Sequence, residues 1–117
     1  LKAVAKVESG FDPDARGPAT RYGTAIGPMQ VLPSTFRLYE AEARRLLGRE
    51  PVITSPTDNI LVGALLYRDH LNSTGDDPEA AARLYHGGPS VANHGPKTRA
   101  YGKKVAETYA KFTGGAP

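Results

Sequence analysis

The sequence predicts an all-α fold in a single domain, and three observations support this prediction. Apolar residues recur at helical spacing in several separate segments. No segment has the regular apolar and polar alternation that is typical of a half-buried strand. The chain has 117 residues, which fits one domain. Because it contains 13 Gly and 10 Pro, we expect short helices joined by turn-rich connections.

The first predicted helix places Glu8 in its last turn. Ala3, Val4 and Val7 recur at helical spacing. Gly10 follows where a residue with a left-handed backbone commonly ends a helix. The opening stretch is therefore expected to be helical up to the residue after Glu8.

A loop and a longer helix follow. Residues 11–24 are rich in Asp, Pro, Gly and Thr and have no apolar period, which predicts a loop. Pro33 is well suited to a first helical turn, and the predicted helix runs from there to Leu47, before Gly48. Its predicted buried stripe consists of Phe36, Tyr39, Ala43 and Leu46.

Three more helices are predicted in the second half. Thr57 is a suitable cap for the most apolar of them. The predicted buried face of that helix consists of Ile60, Ala64, Tyr67 and Leu71. Asp77 and Pro78 begin a short helix that ends near Tyr85, and a final helix begins near Thr98.

Composition limits the chemistry that the chain can perform. With no cysteine there is no disulfide or thiolate site. The longest apolar run, residues 60–67, is far shorter than a membrane helix needs. His70, His86 and His94 match no zinc-ligand spacing, so we expect neither a metal site nor a cofactor.

The charge balance favours an anionic partner. Fifteen Lys and Arg against twelve Asp and Glu give a net charge of +3. Nucleic acid is not the expected partner, because no recognition motif is present. We assign residues 1–113 to the domain and 114–117 to a flexible tail. Because the sequence begins with Leu1 and not Met, we expect it to be part of a larger protein or assembly.

Glu8 is the strongest candidate for catalysis. A carboxylate in a last helical turn faces the negative end of the helix dipole, and apolar neighbours such as Val4, Val7 or Phe11 would remove it from water. Both effects raise the pKa of the carboxyl. A carboxyl that stays protonated near neutral pH is what a general acid needs.

Five short motifs occur in the order typical of one enzyme family. They are Glu8-Ser9-Gly10-Phe11-Asp12-Pro13; Gly27-Pro28-Met29-Gln30-Val31-Leu32-Pro33-Ser34-Thr35; Asp58-Asn59-Ile60; Leu84-Tyr85-His86-Gly87-Gly88; and Lys97-Thr98-Arg99-Ala100-Tyr101. Together they resemble the soluble lytic transglycosylase catalytic domain over nearly the whole chain. Each motif is weak alone, but five in the right order make chance similarity improbable.

The resemblance implies a lysozyme-like domain, related to goose-type lysozyme, in which several helices surround a glycan-binding cleft. It implies cleavage of the β-1,4 bond between N-acetylmuramic acid and N-acetylglucosamine in peptidoglycan. Glu8 falls on the family's catalytic acid/base, and Gln30 on a residue that lines the cleft. Tyr85 falls on a tyrosine that supports the acid by hydrogen bonding. Ser9 and Met29 fall on positions that shape the start of the cleft.

The family's mechanism differs from the usual pattern of two carboxylates in glycosidases. One Glu protonates the glycosidic oxygen, and the substrate's own N-acetyl group stabilises the charge at C1. The same Glu then activates the C6 hydroxyl, which leaves a 1,6-anhydro end. No second carboxylate in this sequence is an obvious partner for Glu8.

The sequence departs from the family pattern near the predicted cleft. The segment between Pro13 and Gly27 is longer than in typical members. Within it, Thr24 is a candidate hydroxyl for holding the substrate's N-acetyl group, with Thr20 as the alternative. His86 replaces the usual Asn, and it either fixes the turn after Tyr85 or contributes to sugar binding. Another residue of the longer segment, Tyr22, flanks the predicted cleft.

Two alternatives to a transglycosylase remain open. A hydrolytic muramidase would use water in place of the C6 hydroxyl. A non-catalytic wall-binding or structural domain of a virion or secretion machine would retain the fold alone. All three readings place the protein outside the cytoplasm, in the periplasm or cell wall, or in a phage virion that acts on the host wall.

Overall fold

The computed structural model describes residues 1–88 and 91–112. Its elements are α1 (Lys2–Ser9), α2 (Pro33–Leu47), α3 (Pro56–Ser73), α4 (Pro78–Gly87), a 3-10 turn (Val91–Asn93) and α5 (Pro96–Phe112). Within these residues, β pairing is limited to isolated bridges. The prediction of an all-α chain is therefore confirmed. The predicted tail, residues 114–117, lies outside the described residues.

The chain forms two compact units, which we describe separately. Of the described residues, the terminal unit contains 1–7, 66–88 and 91–112, and the central unit contains 8–65. In the terminal unit α4 packs against α5. Gly102 allows this close approach, because a Cβ atom there would lie 2.6 Å from the Arg83 side chain.

The central unit has its own buried residues. The apolar residues that are almost fully buried there include Met29, Val31, Phe36, Ala43 and Val62. Gly63 is required beside Met29, because a Cβ atom at this glycine would lie 2.6 Å from the methionine side chain. Met29 is therefore fixed by close packing on α3.

The predicted helix boundaries agree closely with the structure where local signals are strong. Helix α2 has the predicted bounds, and Gly48 ends it with a φ of +71°. Helix α4 begins as predicted after Asp77, whose carboxylate accepts hydrogen bonds from the N–H groups of Glu79 and Ala80. Helix α5 begins two residues earlier than expected, at Pro96.

Other details of the helix predictions are wrong. The cap of α3 is Ser55 and not Thr57, because the Ser55 hydroxyl accepts a hydrogen bond from the Asp58 N–H at 3.4 Å. Leu46 is 50% exposed and Ile60 is 38% exposed, although both were placed on buried faces. Tyr67 is buried as predicted, but α3 also buries Asp58, Asn59, Val62 and Leu65. Burial on α3 therefore differs from the prediction, because hydrogen-bonded polar side chains are buried where apolar spacing alone would leave them exposed.

No helix in the described part of the chain is long and apolar enough to cross a bilayer.

Candidate active site

The centre of the candidate site is a tight turn formed by residues 27–30, which we call the Gln30 turn. Ile26 and Val31 flank it and exchange two backbone hydrogen bonds of 3.0 Å. Inside the turn, the Gln30 N–H donates to the Gly27 carbonyl at 3.0 Å. Gly27 and Gln30 both have positive φ angles, +81° and +51°. The glutamine therefore adopts a backbone conformation that is uncommon for any residue other than glycine.

The Asn59 side chain fixes the Gln30 turn by hydrogen bonds. Its side-chain oxygen accepts a hydrogen bond from the Met29 N–H at 3.0 Å, and its side-chain nitrogen donates to the carbonyls of Ile26 and Ile53 at 2.8 and 3.3 Å. Asn59 is completely buried. A Cβ atom at Gly27 would lie 2.5 Å from the Asn59 amide, so only glycine fits there. The Gln30 turn is thus clamped to the first turn of α3.

Ser9 connects the helix that carries Glu8 to the same turn. The Ser9 hydroxyl donates a hydrogen bond of 2.8 Å to the Pro28 carbonyl. Glu8 and Ser9 are the last two residues of α1, and both are half-buried. The chain reverses directly after them, through positive φ angles at Gly10 and Phe11. The predicted end of the first helix, with Glu8 in its last turn, is confirmed.

The Gln30 side chain turns toward its own backbone surroundings. Its amide nitrogen donates to the Gly27 carbonyl at 2.9 Å and to the Ala15 carbonyl at 3.2 Å. Both amide hydrogens are therefore used within the protein, and the side-chain oxygen remains as the group that can accept a further hydrogen bond. Gln30 joins its turn to the start of the long loop.

That long loop is a hairpin, and we call residues 16–26 the loop hairpin. Arg16 and Ile26 form an antiparallel bridge at its base, and Gly17 donates to the Ala25 carbonyl at 3.0 Å. At its tip, Thr20 and Gly23 exchange backbone hydrogen bonds of 3.2 and 3.0 Å. The predicted irregular loop is therefore more ordered than its composition suggested.

The two candidate hydroxyls of the loop hairpin are in different situations. The Thr20 hydroxyl donates to the Gly23 carbonyl at 2.7 Å and accepts from the Tyr22 N–H at 3.1 Å. It closes the tip and is committed to it. Thr24 is half-buried on the returning side of the hairpin.

Tyr85 and His86 lie in the last turn of α4, in the terminal unit. Tyr85 packs edge-to-face on the ring of Tyr67, with ring centroids 6.1 Å apart. Tyr67 is itself fixed, because it is buried and its hydroxyl donates to the Pro78 carbonyl at 3.2 Å. Burial raises the pKa of Tyr67 to about 12, so its hydroxyl stays protonated.

His86 is anchored to α5. Its ring stacks on Tyr101 at 4.5 Å, and its Nδ1 lies 3.0 Å from the Thr98 hydroxyl. Partial desolvation of the ring, followed by the nearby His94, lowers the pKa of His86. His94 donates from Nε2 to the Gly88 carbonyl at 2.8 Å, since a carbonyl can only accept. The contacts of His86 with Tyr101 and Thr98 hold the last turn of α4 on α5.

Asp58 forms an ion pair with Arg49 in the central unit. Two guanidinium nitrogens of Arg49 each donate to one Asp58 carboxylate oxygen at 2.8 Å. The Val52 N–H also donates to the Asp58 carboxylate, at 2.9 Å. The hydrogen bonds from Arg49 lower the pKa of Asp58 below its ordinary value. This carboxylate therefore stays charged, and its oxygens already accept hydrogen bonds from Arg49 and Val52.

No group of His, Cys, Asp and Glu in residues 1–88 and 91–112 has the arrangement of a metal site. Asn59 belongs to one of the five sequence motifs, but the motif alone predicted no role for it. Gly27 was a signal for that role, because a glycine before a buried segment often marks a close backbone approach.

The comparisons with known proteins agree with one another. Residues 1–107 match the family model described as the transglycosylase SLT domain. A transglycosylase of Enterobacteria phage PRD1 is 39% identical over 89 residues, which are 75% of this chain and 30% of that protein. The chain therefore spans less than a third of this relative.

Two solved structures share the fold. The lytic transglycosylase Slt of Pseudomonas aeruginosa, in an inactive mutant form, has a TM-score of 0.71 and 22% identity, and the match covers 98% of this chain and 22% of that one. The 70 kDa soluble lytic transglycosylase of Escherichia coli has a TM-score of 0.69 and 21% identity, with 96% and 21% covered. Both likenesses support the lysozyme-like all-α fold. Since the family model matches nearly the whole chain, this protein belongs to the transglycosylase SLT domain family.

Proposed function

We propose that this chain is the catalytic domain of a peptidoglycan lytic transglycosylase, with Glu8 as its general acid and base. The bond it cleaves is the β-1,4 link between N-acetylmuramic acid and N-acetylglucosamine. One observation carries the proposal: the Ser9 hydroxyl ties the end of α1, which bears Glu8, to the turn that bears Gln30. Membership of the SLT family supports the same reading.

The proposed reaction balances with one carboxyl group. Protonated Glu8 gives its proton to the glycosidic oxygen, and the bond from that oxygen to C1 breaks. The carbonyl oxygen of the substrate's N-acetyl group stabilises the positive charge at C1. The Glu8 carboxylate then takes the proton of the C6 hydroxyl as this oxygen bonds to C1. The product has a 1,6-anhydro end, Glu8 is protonated again, and no water is consumed.

Asp58 supports a mechanism with one carboxylate. The usual retaining and inverting glycosidases use a second carboxylate beside the substrate. Asp58 is completely buried and already accepts hydrogen bonds from Arg49 and the Val52 N–H. It is therefore unsuited to act as a nucleophile or as a base for water.

The remaining site residues have positioning or binding roles in this proposal. Ser9 and Met29 set the position of the Gln30 turn, and Gln30 offers its side-chain oxygen to the glycan. Thr24 is the better candidate for the N-acetyl group, because the Thr20 hydroxyl is committed to the hairpin tip.

The two residues at the end of α4 also have proposed roles, which we give for the terminal unit by itself. Tyr85 has the supporting role that its match to the family motif implies. His86 holds the turn after Tyr85 through its contacts with Thr98 and Tyr101. The whole protein, which we expect to be longer, would act on the wall from outside the cytoplasm or from a phage virion.

Digestion of purified sacculi tests the proposal. We expect the protein to release fragments whose muramic acid ends are 1,6-anhydro, which mass spectrometry separates from reducing ends by the mass of one water. Glu8→Gln should lower the rate at least about a thousandfold, because it removes the proton donor and the base together. Glu107→Gln, at an exposed position on α5, is the matched control and should keep the wild-type rate.

Each other outcome points to a different function. Reducing ends would identify a hydrolytic muramidase and reject the anhydro product. Unchanged lysis by Glu8→Gln would reject Glu8 as the catalytic group. Binding of sacculi by the folded wild-type protein without any cleavage would identify a wall-binding or structural domain.

A further inference from the structure

Two adjacent side chains at the tip of the loop hairpin form an exposed pair. The Arg21 guanidinium donates to the Tyr22 hydroxyl at 2.7 Å, and its central carbon lies 4.9 Å from the centre of the Tyr22 ring. Tyr22 is nevertheless 64% exposed. Arg21 thus holds the ring from one side while most of the residue remains open to solvent.

The tip that carries this pair has a defined backbone. Thr20 and Gly23 are paired through both of their backbone groups, and the Thr20 hydroxyl adds two more hydrogen bonds across the turn. Gly23 has a φ of +104°, which a side chain would disfavour. An aromatic ring on such a turn loses little conformational entropy when a ligand covers it.

The base of the same hairpin is fixed to the Gln30 turn. Ile26 pairs with Arg16 on the hairpin side and with Val31 on the turn side. The Gln30 side chain donates to the Ala15 carbonyl just before the hairpin. From the base at Ile26 to Tyr22 there are four residues, so the tip lies at most about 13 Å along the hairpin. A hairpin of up to that length can hold Tyr22 away from the Gln30 turn.

We propose that Arg21 and Tyr22 form a glycan-binding platform that holds a sugar of the peptidoglycan strand away from the bond that is cleaved. A pyranose ring presents a flat face of C–H groups, which packs on an aromatic ring and buries apolar area on both sides. The Arg21 guanidinium adds a positive charge beside the ring, which suits the carboxylates that peptide-substituted strands carry. This inference adds a glycan-binding site to the proposed function. It rests on that function for the identity of the glycan strand.

Substrate length is the variable that tests the platform. The proposal requires that a long glycan strand contacts the tip while it occupies the catalytic site, and that a tetrasaccharide bound only at the sites beside the cleaved bond does not. We expect Tyr22→Ala to raise KM for long strands about five- to tenfold, the loss of about 1 kcal/mol or slightly more of binding, with kcat unchanged. KM for the tetrasaccharide should stay at the wild-type value.

Three further variants make the test specific. Tyr22→Phe keeps the ring and should keep a KM close to wild type for long strands. Arg21→Gln should raise that KM about two- to threefold, because the ring loses its support and the charge is removed. Tyr109→Ala, at a tyrosine that is also 48% exposed but lies on α5, is the control and should change neither KM. Thermal unfolding of each variant should match the wild type within a few degrees, since the side chains are exposed.

Two results would overturn the platform. One is an unchanged KM for long strands in Tyr22→Ala, and the other is an equal rise for both substrates. If the wild-type protein cleaves neither substrate, the proposed function fails, and sedimentation with intact sacculi then decides the platform. Weaker sedimentation of Tyr22→Ala than of Tyr109→Ala would support it, and equal sedimentation would reject it.

Discussion

Asn59 is the single residue on which the geometry of the candidate site depends most. Its amide satisfies three backbone groups, those of Met29, Ile26 and Ile53. Because the residue is completely buried, water cannot replace any bond that is lost. No other residue of the same shape offers one acceptor and two donors in these positions, because the isosteric aspartate has no N–H group.

Asn59→Asp is expected to destabilise the fold by about 3 kcal/mol, because two carbonyls lose their donor and face a carboxylate oxygen. Urea unfolding measures this change. Lysis of sacculi at a temperature where the variant is folded should also fall, since the Gln30 turn is no longer held. Asn72→Asp makes the same substitution at an exposed position of α3 and should change stability by less than about 0.5 kcal/mol. Equal stability of the two variants would contradict the clamp.

Glu8 and Tyr85 are residues whose proposed roles depend on the family motifs. Their positions at the ends of α1 and α4 agree with the sequence prediction. The edge-to-face packing of Tyr85 on Tyr67 was not foreseen, because the two residues are far apart in sequence and no local pattern connects them.

At the scale of elements, the start of α3 positions Asn59 for the clamp. Ser55 is the N-cap: its carbonyl accepts the Asn59 N–H at 2.8 Å, and its hydroxyl accepts the Asp58 N–H. Pro56 follows in the first turn, where its missing N–H costs nothing. The sequence pattern favoured Thr57, but the structure places this residue inside the first turn of α3.

Ser55→Ala should therefore lower the free energy of unfolding by about 1 kcal/mol, the usual loss when a capping hydroxyl is removed. Thr57→Ala removes a hydroxyl two residues later and should cost less than about 0.5 kcal/mol. Chemical denaturation of both variants gives the comparison. A larger loss for Thr57→Ala would restore the cap that the sequence pattern suggested.

The loop hairpin is the element that the sequence described least well. Its Gly, Pro and Thr content predicted a loop, and its pairing is limited to isolated bridges. What orders it is a set of single contacts, among them the Thr20 hydroxyl at the tip and the Gln30 amide at the base. Such contacts have no periodic signal, so they cannot be found from apolar spacing.

At the scale of the whole molecule, the net charge of +3 agrees with an anionic wall as the partner but does not select it. The acid stability of the fold depends on particular carboxylates. Asp58 is the clearest, because it is buried and bound by Arg49. Its pKa is lower in the folded chain than its ordinary value of 3.8.

A group whose pKa is lowered by folding stabilises the protein above its unfolded pKa, and this contribution is lost as the pH falls through the folded pKa. Wild type should therefore exceed Asp58→Asn in unfolding free energy from neutral pH down to about pH 4, and the difference should narrow at lower pH. Unfolding in denaturant at a series of pH values measures it. Asp69→Asn is the control, because it removes a carboxylate from an exposed ion pair with Arg68. Its unfolding free energy should differ from that of wild type by a small amount at every pH in the series. A difference in unfolding free energy between wild type and Asp58→Asn that does not change with pH would contradict the lowered pKa of Asp58.

The sequence alone determined the helices and the family. Helix ends are signalled by residues within one turn of them, as Pro33, Gly48 and Asp77 illustrate. The order of the five motifs was enough to predict the SLT family, which the family match confirms. Helix ends depend on residues that are close together in the sequence, and each motif is itself a short run of such residues.

Only the tertiary structure decided which polar groups are buried and what they hold. Ser9 reaches a carbonyl 19 residues away, and Asn59 reaches one 33 residues away. The same long-range packing leaves Leu46 and Ile60 exposed while it buries Asp58. Burial and hydrogen-bond partnership depend on which distant segments meet, and no pattern within a single helix contains that information.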